Sequence, residues 1–503
     1  LASPAECATL AARFYHEGYP VQASDSAKKL WLETALVFAA AFVIRAAVAQ
    51  GQALWDDEIA SRIIALTPLG DLLRGYYRVD PHPPLFHLLL KLWIALAGAS
   101  DEALRLLPQL LGAATVAAAF RTTARFADRT AARLGAYLLA LTPMLVWAGT
   151  ELRGFALLAL LLVGATHYAL AWRERQARAG IFMTLCLAAS LYTHYYAFFF
   201  VGAFYAAAYA LFAELRRGLR RSIVATALLF APWSYFLVVQ IGHGQFFRRS
   251  LSLPTMIAEL VWQFPFTSFP WATSVLQMRL SDTWAPWSTR AAVAVMIAAT
   301  LGALWVLWRR RKDERRAFDF LLAVSVLAPW LTLAGAMVAP LFDLRYLTPY
   351  LVFPVLALAC APRLRVKLPL AVLLAVLWIE PLGFALTYPL SRRPDWPHVC
   401  TRVAGETVLI YERHAAPAFL HYCGDVCTVE AIYDSPERID DQEHIDATVA
   451  RFADLDSLWL LMTNETIYDP NQMIVRRLYE KFPRVNLLIE QPGMQAGLMR
   501  FRK

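Results

Sequence analysis

The polar C-terminal part of the sequence has no glycine-rich phosphate loop, so nothing there points to a nucleotide. Cysteine is sparse: six residues, scattered over 503. Cys423 and Cys427 lack a pair of further ligands at finger spacing, which argues against structural zinc. No basic segment leads into a short apolar core at the N-terminus. Leu1 to Lys29 mixes polar and apolar residues, so no cleavable signal peptide is expected. The two halves of the chain do not resemble each other, and acids sit at the ends of apolar runs. Both features weigh against a transporter built from repeats around charges at the membrane midplane.

Apolar sequence is what the chain has in abundance. It is 58% hydrophobic with a mean hydropathy of +0.44, where a soluble protein would be nearer half apolar. Sixteen Trp, 20 Tyr and 29 Phe suit aromatic belts at two membrane interfaces. The formal charge of +9 does not imply nucleic acid. Its basic residues fall in short clusters between apolar runs, which is the positive-inside pattern of a polytopic membrane protein. Cys186 and Cys360 lie within apolar runs as packing residues, and Cys7 is in the N-terminal segment. Cys400, Cys423 and Cys427 lie in the polar tail, where an oxidising compartment would let two of them pair.

The basic clusters set a topology. Lys28 and Lys29 precede Leu30 to Ala49, an uncleaved anchor entering from the cytoplasm. Trp55-Asp56-Asp57-Glu58 then lies outside. Pro84 to Gly98 is short and is placed in the outer interface, because a full span there would move every later cluster outside. The further spans are Ala103 to Phe120, Leu134 to Trp147, Phe155 to Trp172, Ile181 to Tyr192, Phe198 to Phe212 and Ile223 to Gln240. Ala291 to Trp308, Phe318 to Ala339, Tyr346 to Ala361 and Leu368 to Leu386 follow. About eleven spans result, with a long outer loop near Ile241 to Ser288.

The expected organisation is an N-terminal cytoplasmic segment (1–29), a transmembrane domain (30–390) and an extracytoplasmic domain (391–503). In the last, Thr407 to Tyr411, Ser457 to Met462 and Val485 to Ile489 read as strands. Asp440 to Phe452 and Asn471 to Phe482 read as helices, which makes a small α/β domain.

This topology gathers polar residues on one face: Asp56, Asp57 and Glu58, the segment Asp80 to Pro84, Glu151 with Arg153, His194, and Asp343 with Arg345 and Tyr346. Helix ends are where polar residues go in any membrane protein. A single-sided collection of acids, His and Arg is nevertheless what a reaction site needs.

The order of these motifs resembles the GT-C superfamily of membrane glycosyltransferases. The nearest branches are the protein O-mannosyltransferase, aminoarabinose-transferase and galacturonosyltransferase-like lineage. The matching elements are Asp57-Glu58, His82-Pro83-Pro84-Leu85-Phe86-His87 and Asp101-Glu102-Ala103-Leu104-Arg105-Leu106-Leu107-Pro108. Glu151-Leu152-Arg153-Gly154-Phe155 also matches, with Phe155 where Tyr is usual, as do Tyr192-Thr193-His194-Tyr195-Tyr196 and Arg345-Tyr346-Leu347-Thr348-Pro349. Pro394-Asp395-Trp396 is similar to a segment that opens the tail in the galacturonosyltransferase-like branch. The resemblance runs to about Trp396 and leaves the tail unmatched.

The fold implied is mainly α: a polytopic GT-C type helical bundle with interfacial helices in the first outer loop, plus the α/β domain. The implied activity moves a sugar from a polyprenyl-phosphate donor, such as undecaprenyl phosphate, to a hydroxyl of an envelope glycan, lipid or protein. The resemblance implies action at the outer face with inversion, as is usual for the family, and a lipopolysaccharide component as one acceptor. Asp57 matches the family's catalytic Asp, and Glu58 would position it or act beside it. Asp56 departs from the pattern and would raise the pKa of Asp57 or be solvated. Arg345, with Tyr346, would hold the departing phosphate. His82 stands where the aminoarabinose branch has a phosphate-binding Lys, and His194 is a second candidate. Glu151 and Arg153 would form an internal ion pair, or Glu151 would help hold a metal. No cofactor or metal is expected, although a divalent cation stays open. The partners are the lipid-linked donor, the acceptor and the bilayer, with no nucleic acid.

High Ala and Arg content suggests a GC-rich bacterial genome, hence an inner-membrane protein whose site and tail are periplasmic. The aromatics Trp262 to Phe266, Phe269 to Trp271 and Trp284 to Trp287 belong to an interfacial belt or to a wall of the sugar or lipid site. Rival readings are a polyprenyl-lipid flippase or transporter, and a GT-C scaffold without activity.

Overall fold

The computed structural model describes residues 19–76, 82–242, 251–263, 286–309, 316–339, 342–361, 364–387, 396–412, 416–433, 442–463, 472–490 and 496–503. Cys7, Asp80, Pro81, the aromatics between 264 and 285, the basic residues of 310–315, Arg363 and the Pro394-Asp395 pair lie outside the described residues.

Among the described residues the apolar runs of the sequence are helical, two of them in more than one piece. The first is α1 (Tyr19–Ala49), which begins before the expected Leu30. Two shorter helices follow, α2 (Asp56–Leu66) and α3 (Leu85–Ala97). At 13 residues, α3 is roughly 20 Å long and falls short of a bilayer core of about 30 Å. One of its faces buries Phe86, His87 and Leu90, while Leu88, Leu92 and Leu96 are exposed. That division suits a helix lying along an interface.

Next come α4 (Asp101–Phe126), α5 (Arg129–Leu141) and α6 (Pro143–Ala148). Ser100 and Asp128 cap α4 and α5 by accepting from the amides of Ala103 and Ala131. The expected span Leu134 to Trp147 is broken between α5 and α6. Pro143 has no N–H to continue the helix, and it holds Thr142 at φ −60°, ψ 114°. The bundle continues with α7 (Phe155–Arg173), α8 (Ala179–Leu191), α9 (Ala197–Leu211) and α10 (Arg216–Gly242).

The described part of the expected long loop contains an unexpected short helix, α11 (Leu253–Ala258), which buries Met256 and Ile257. Then follow α12 (Pro286–Arg309), α13 (Arg316–Val338), the one-turn α14 (Leu344–Leu347), α15 (Val352–Cys360) and α16 (Leu364–Thr387). Among the described residues, six helices are long and apolar enough to cross a membrane, and five shorter apolar helices accompany them. Large apolar side chains such as Leu36, Val43, Leu228, Val238, Leu301 and Val376 point outward, as lipid-facing residues do. The chain is therefore a multi-pass integral membrane protein.

Close approach of helices in the bundle depends on small residues. Arg45 of α1 is buried at 1% exposure and donates to the carbonyls of Ala41 and Leu145. Its guanidinium lies against Gly112 of α4 and Gly149 after α6, where an added Cβ would collide with Nε.

The tail forms a five-stranded sheet with helices. In chain order it comprises α17 (Trp396–Val403), β1 (Thr407–Glu412), α18 (Pro417–Cys423), β2 (Thr428–Tyr433), α19 (Gln442–Ala450), β3 (Ser457–Thr463), α20 (Met473–Lys481), β4 (Arg484–Glu490) and β5 (Ala496–Arg502). The strand order is β2-β1-β3-β5-β4. β1 is parallel to β2 and β3, whereas β5 runs antiparallel to β3 and β4. The three expected strands and two expected helices are present. β2, β5, α17 and α18 were not anticipated.

Strand side chains alternate between two faces. Val408, Ile410, Trp459 and Leu461 join one core with α17, α18 and residues of the membrane module: Leu54, Ile59, Phe86 and Leu104. Leu409, Leu458 and Leu460 pack on the opposite face with Ile445 of α19 and Leu478 of α20. One face of the sheet thus shares a core with the segment around Leu54 and Ile59 that follows α1. Cys400 of α17 and Cys423 of α18 form a disulfide, the pairing the tail cysteines allowed, while Cys427 is free.

Candidate active site

Helix α2 begins at the acidic cluster, and its two ends are held differently. At its C-terminus, the Lys91 ammonium of α3 donates to the carbonyls of Ala65 and Thr67, both at 2.8 Å, where a cation suits the helix dipole. At its N-terminus the three carboxylates take three separate places.

Glu58 turns inward and is fully buried. Its Oε2 accepts from Arg105 of α4 at 2.9 Å and from the Trp55 amide at 3.2 Å, and its Oε1 accepts from the Leu152 amide at 2.7 Å. Arg105 also donates to the carbonyls of Ala53 and Thr150. A carboxylate enclosed in this way braces three segments against one another. Arg105 lies inside a motif singled out in the sequence but was not marked as a site residue. Its signal was a lone cation at the start of an apolar helix.

Asp57 turns outward, with its side chain 36% exposed against none for Glu58. Its Oδ2 is 3.1 Å from Arg345 Nη1. Arg345 sits on α14, which Asp343 caps: Asp343 Oδ1 accepts from the Arg345 amide at 3.0 Å, and Oδ2 accepts from Arg345 Nε at 2.9 Å. The Asp343 amide donates to the Tyr196 hydroxyl. The structure brings together Asp57 and Arg345, two of the residues expected on one face and 288 positions apart, in a direct contact that the sequence did not indicate.

Asp56 takes the third direction. Its Oδ1 accepts from the Ala418 amide of α18 at 3.0 Å. Burial pushes its carboxyl up to about 6; the Ala418 hydrogen bond works against that shift and the neighbouring Asp57 charge adds to it. Asp56 is therefore neither simply solvated nor only a perturber of Asp57. A raised folded-state pKa means that the protonated form favours the folded chain. That stability is fully present below the unfolded pKa near 4 and is lost as pH rises through about 6. Asp56→Asn keeps an acceptor for Ala418 without the charge. It is expected to melt higher than the parent above pH 6, with the difference closing between pH 6 and 4. Thermal unfolding in detergent across that range checks it; equal melting at pH 7.5 would contradict it.

The remaining candidates surround this centre. Arg153 does not pair with Glu151 as expected. Its guanidinium donates to the Asp57 carbonyl (3.1 Å), Ser61 Oγ (3.3 Å) and His82 Nε2 (2.6 Å). The reason is local: after α6 the chain makes a tight turn that separates the two side chains, and Glu151 Oε2 instead accepts from the Trp55 indole at 2.8 Å. Because a guanidinium can only donate, His82 Nε2 is the acceptor in this contact. His82 thus faces Arg153.

The His194 Nδ1 accepts from the Tyr196 amide, which puts its proton on Nε2. The ring packs 4.6 Å from that of Tyr346, and the Arg345 guanidinium lies 4.9 Å from the same Tyr346 ring. His82, His87, Arg153, Phe155 and His194 line a void of ≈ 10 Å³, about the room for one water. Gly154 is needed for this closure, since a Cβ there would lie 2.9 Å from Thr193 Cγ2.

Residues 81–239 match the family model described as dolichyl-phosphate-mannose-protein mannosyltransferase. That segment holds the motifs around His82, Asp101, Glu151 and His194, and over it the GT-C resemblance is borne out. No curated protein matches the chain. Among solved structures, the chain is similar to ArnT from Cupriavidus metallidurans bound to undecaprenyl phosphate. The identity is 14%, the TM-score is 0.47, and 93% of this chain and 98% of that one are covered. It is also similar to the Archaeoglobus fulgidus oligosaccharyltransferase in complex with zinc and sulfate, at 13% identity and a TM-score of 0.48, covering 88% and 71%. A further similarity is to the oligosaccharyltransferase AglB of that organism with an inhibitory peptide and a dolichol-phosphate, at 12% identity and a TM-score of 0.48, covering 90% and 72%.

Proposed function

We propose that this membrane protein is a GT-C glycosyltransferase that moves one sugar from a polyprenyl-phosphate donor to a hydroxyl of an envelope acceptor. The observation that carries the proposal is the pairing of an outward carboxylate, Asp57, with Arg345 at 3.1 Å. The match of residues 81–239 to a family named for a lipid-phosphate sugar donor supports it.

The chemistry divides between these two groups. The acceptor oxygen attacks the anomeric carbon, its proton passes to Asp57, and the bond from that carbon to the phosphate oxygen breaks. The polyprenyl phosphate leaves with the electron pair. It is already a good leaving group, so it needs stabilisation of charge rather than a proton. Arg345 supplies that stabilisation, and guanidinium geometry suits two phosphate oxygens. A donor phosphate would compete with Asp57 for Arg345 and so release the carboxylate for the acceptor. Attack opposite the leaving group inverts the anomeric centre. His194 and Tyr346 close the side of the site next to Arg345. Arg153 fixes the Asp57 backbone, and His82 orients Arg153. Glu58 and Glu151 support the loop from beneath.

The membrane would be a bacterial inner membrane with the site and tail in the periplasm, and a lipopolysaccharide component is one acceptor to try. No residue is assigned to a metal; a divalent cation requirement is read directly by adding a chelator to the assay.

The test is transfer from radiolabelled undecaprenyl-phosphate mannose, galacturonic acid and aminoarabinose in membranes containing the chain. Label should appear on an acceptor with one of the three. Arg345→Lys keeps the charge but loses the fork, so its kcat is expected to fall about 10²-fold while the protein stays folded. Parent-like kcat in that variant would remove Arg345 from the phosphate site.

A further inference from the structure

The contacts between the tail and the membrane module converge on one place. Helix α18 supplies polar links from three residues, which reach Leu54 and Asp56 just before Asp57 and Asp101 at the start of α4. The Tyr422 hydroxyl accepts from the Leu54 amide at 2.8 Å and donates to the Asp101 carboxylate. The Ala418 amide donates to Asp56. His421 Nε2 is 3.8 Å from Asp101 Oδ1. Leu54 and Asp56, which these links hold, lie just before Asp57 in the chain.

These links are built into a rigid support. Phe419 and Cys423 have no exposure and pack with Leu54 and Ile59 in one core. The Tyr422 ring stacks on Trp396 of α17 at 6.3 Å and 17°. The Cys400–Cys423 disulfide joins α17 to α18 beside Tyr422. Burial raises the Tyr422 hydroxyl pKa, and its bond to Asp101 adds to this, so the phenol stays protonated and keeps donating.

We infer that the C-terminal α/β unit positions the reacting carboxylate, with Tyr422 as a positioning residue that sets the start of helix α2 through Leu54 and Asp101. The inference rests on the reading of Asp57 as the base. The unit thereby does more than cover the outer face. The disulfide-linked pair α17–α18 is a brace, and Tyr422 is its point of contact. Without the hydroxyl, the Leu54 amide and Asp101 lose a shared partner. The first turn of α2 is then free to sample positions in which Asp57 misses the acceptor proton, and small misplacements cost rate steeply.

The experiment uses the full chain in detergent and three variants: Tyr422→Phe, the double substitution Cys400→Ser with Cys423→Ser, and Asp57→Asn. Tyr422→Phe keeps the stacked ring and removes only the hydroxyl. Backbone hydrogen exchange over residues 52–66 is read by mass spectrometry. The kcat and the donor KM for release of undecaprenyl phosphate are read separately with the labelled sugar panel. In Tyr422→Phe, exchange at 54–58 is expected to rise about tenfold and kcat to fall about tenfold, with donor KM and melting temperature nearly unchanged. The double Cys variant is expected to move in the same direction.

Unchanged exchange in Tyr422→Phe, or raised exchange with unchanged kcat, overturns the inference. A fall in kcat that follows a lowered melting temperature overturns it as well, since the effect would then be general. Parent-like turnover by Asp57→Asn removes the base assignment instead. The exchange data would in that case still show whether Tyr422 governs the start of α2.

Discussion

Asp57→Asn is expected to lower turnover about 10²- to 10⁴-fold, the usual contribution of a general base, with little change in stability. Asn keeps an oxygen that can accept from Arg345, so the approach of α14 to α2 survives. What it lacks is the basicity to take the acceptor proton. The donor KM should change far less than kcat, because the phosphate is bound by Arg345. The check is kcat and KM with one donor, alongside thermal unfolding of the same preparation. Turnover like that of the parent would shift the base to another group. Asp56 would then be the first to examine, since burial pushes its carboxyl up to about 6.

The neighbouring carboxylate should behave in the opposite way. Glu58→Ala is expected to destabilise the protein by about 3–5 kcal/mol, as breaking one side of a buried ion pair does. Glu58 has no exposure, and the partner left behind is Arg105, whose side chain is 5% exposed. The amides of Trp55 and Leu152 lose their acceptor at the same time. Activity would fall with the folded fraction, since the Glu58 contacts with Arg105, Leu152 and Trp55 tie the first turn of α2 to the bundle. Glu58→Gln, which retains acceptors, should be milder. Unfolding in denaturant with the detergent held constant reads the difference. A Glu58→Ala protein as stable as the parent would mean that water or another group satisfies Arg105. Two adjacent acids are thus expected to separate cleanly, one by rate and one by stability.

Much of this arrangement could be read from the residues, for reasons that differ from place to place. The membrane helices were legible because lipid requires long apolar runs and an internally satisfied backbone. The break at Pro143 was missed because its flanks are as apolar as a span. Strands β1 and β3 were legible as buried on both faces: Val408 and Ile410 point one way and Leu409 the other. β5, with Arg500 and Arg502 among its apolar residues, hides its pattern. The gathering of Asp57 and Arg345 on one face was legible from the order of apolar runs and basic clusters, but their direct contact was not. The turn of Arg153 away from Glu151 was not, because sequence spacing does not fix which way a side chain leaves a tight turn. Tyr422 had no signal, since its importance comes only from docking of the tail beside Leu54 and Asp101.

The most direct measurement is release of undecaprenyl phosphate from a labelled sugar donor by the purified chain, compared with its Asp57→Asn variant. The account predicts release coupled one-to-one to a glycosylated acceptor in the parent, and a loss of at least about 10²-fold in a variant that remains folded. Release at equal rates from both proteins, or donor left intact by a folded parent supplied with its native membranes, would contradict it.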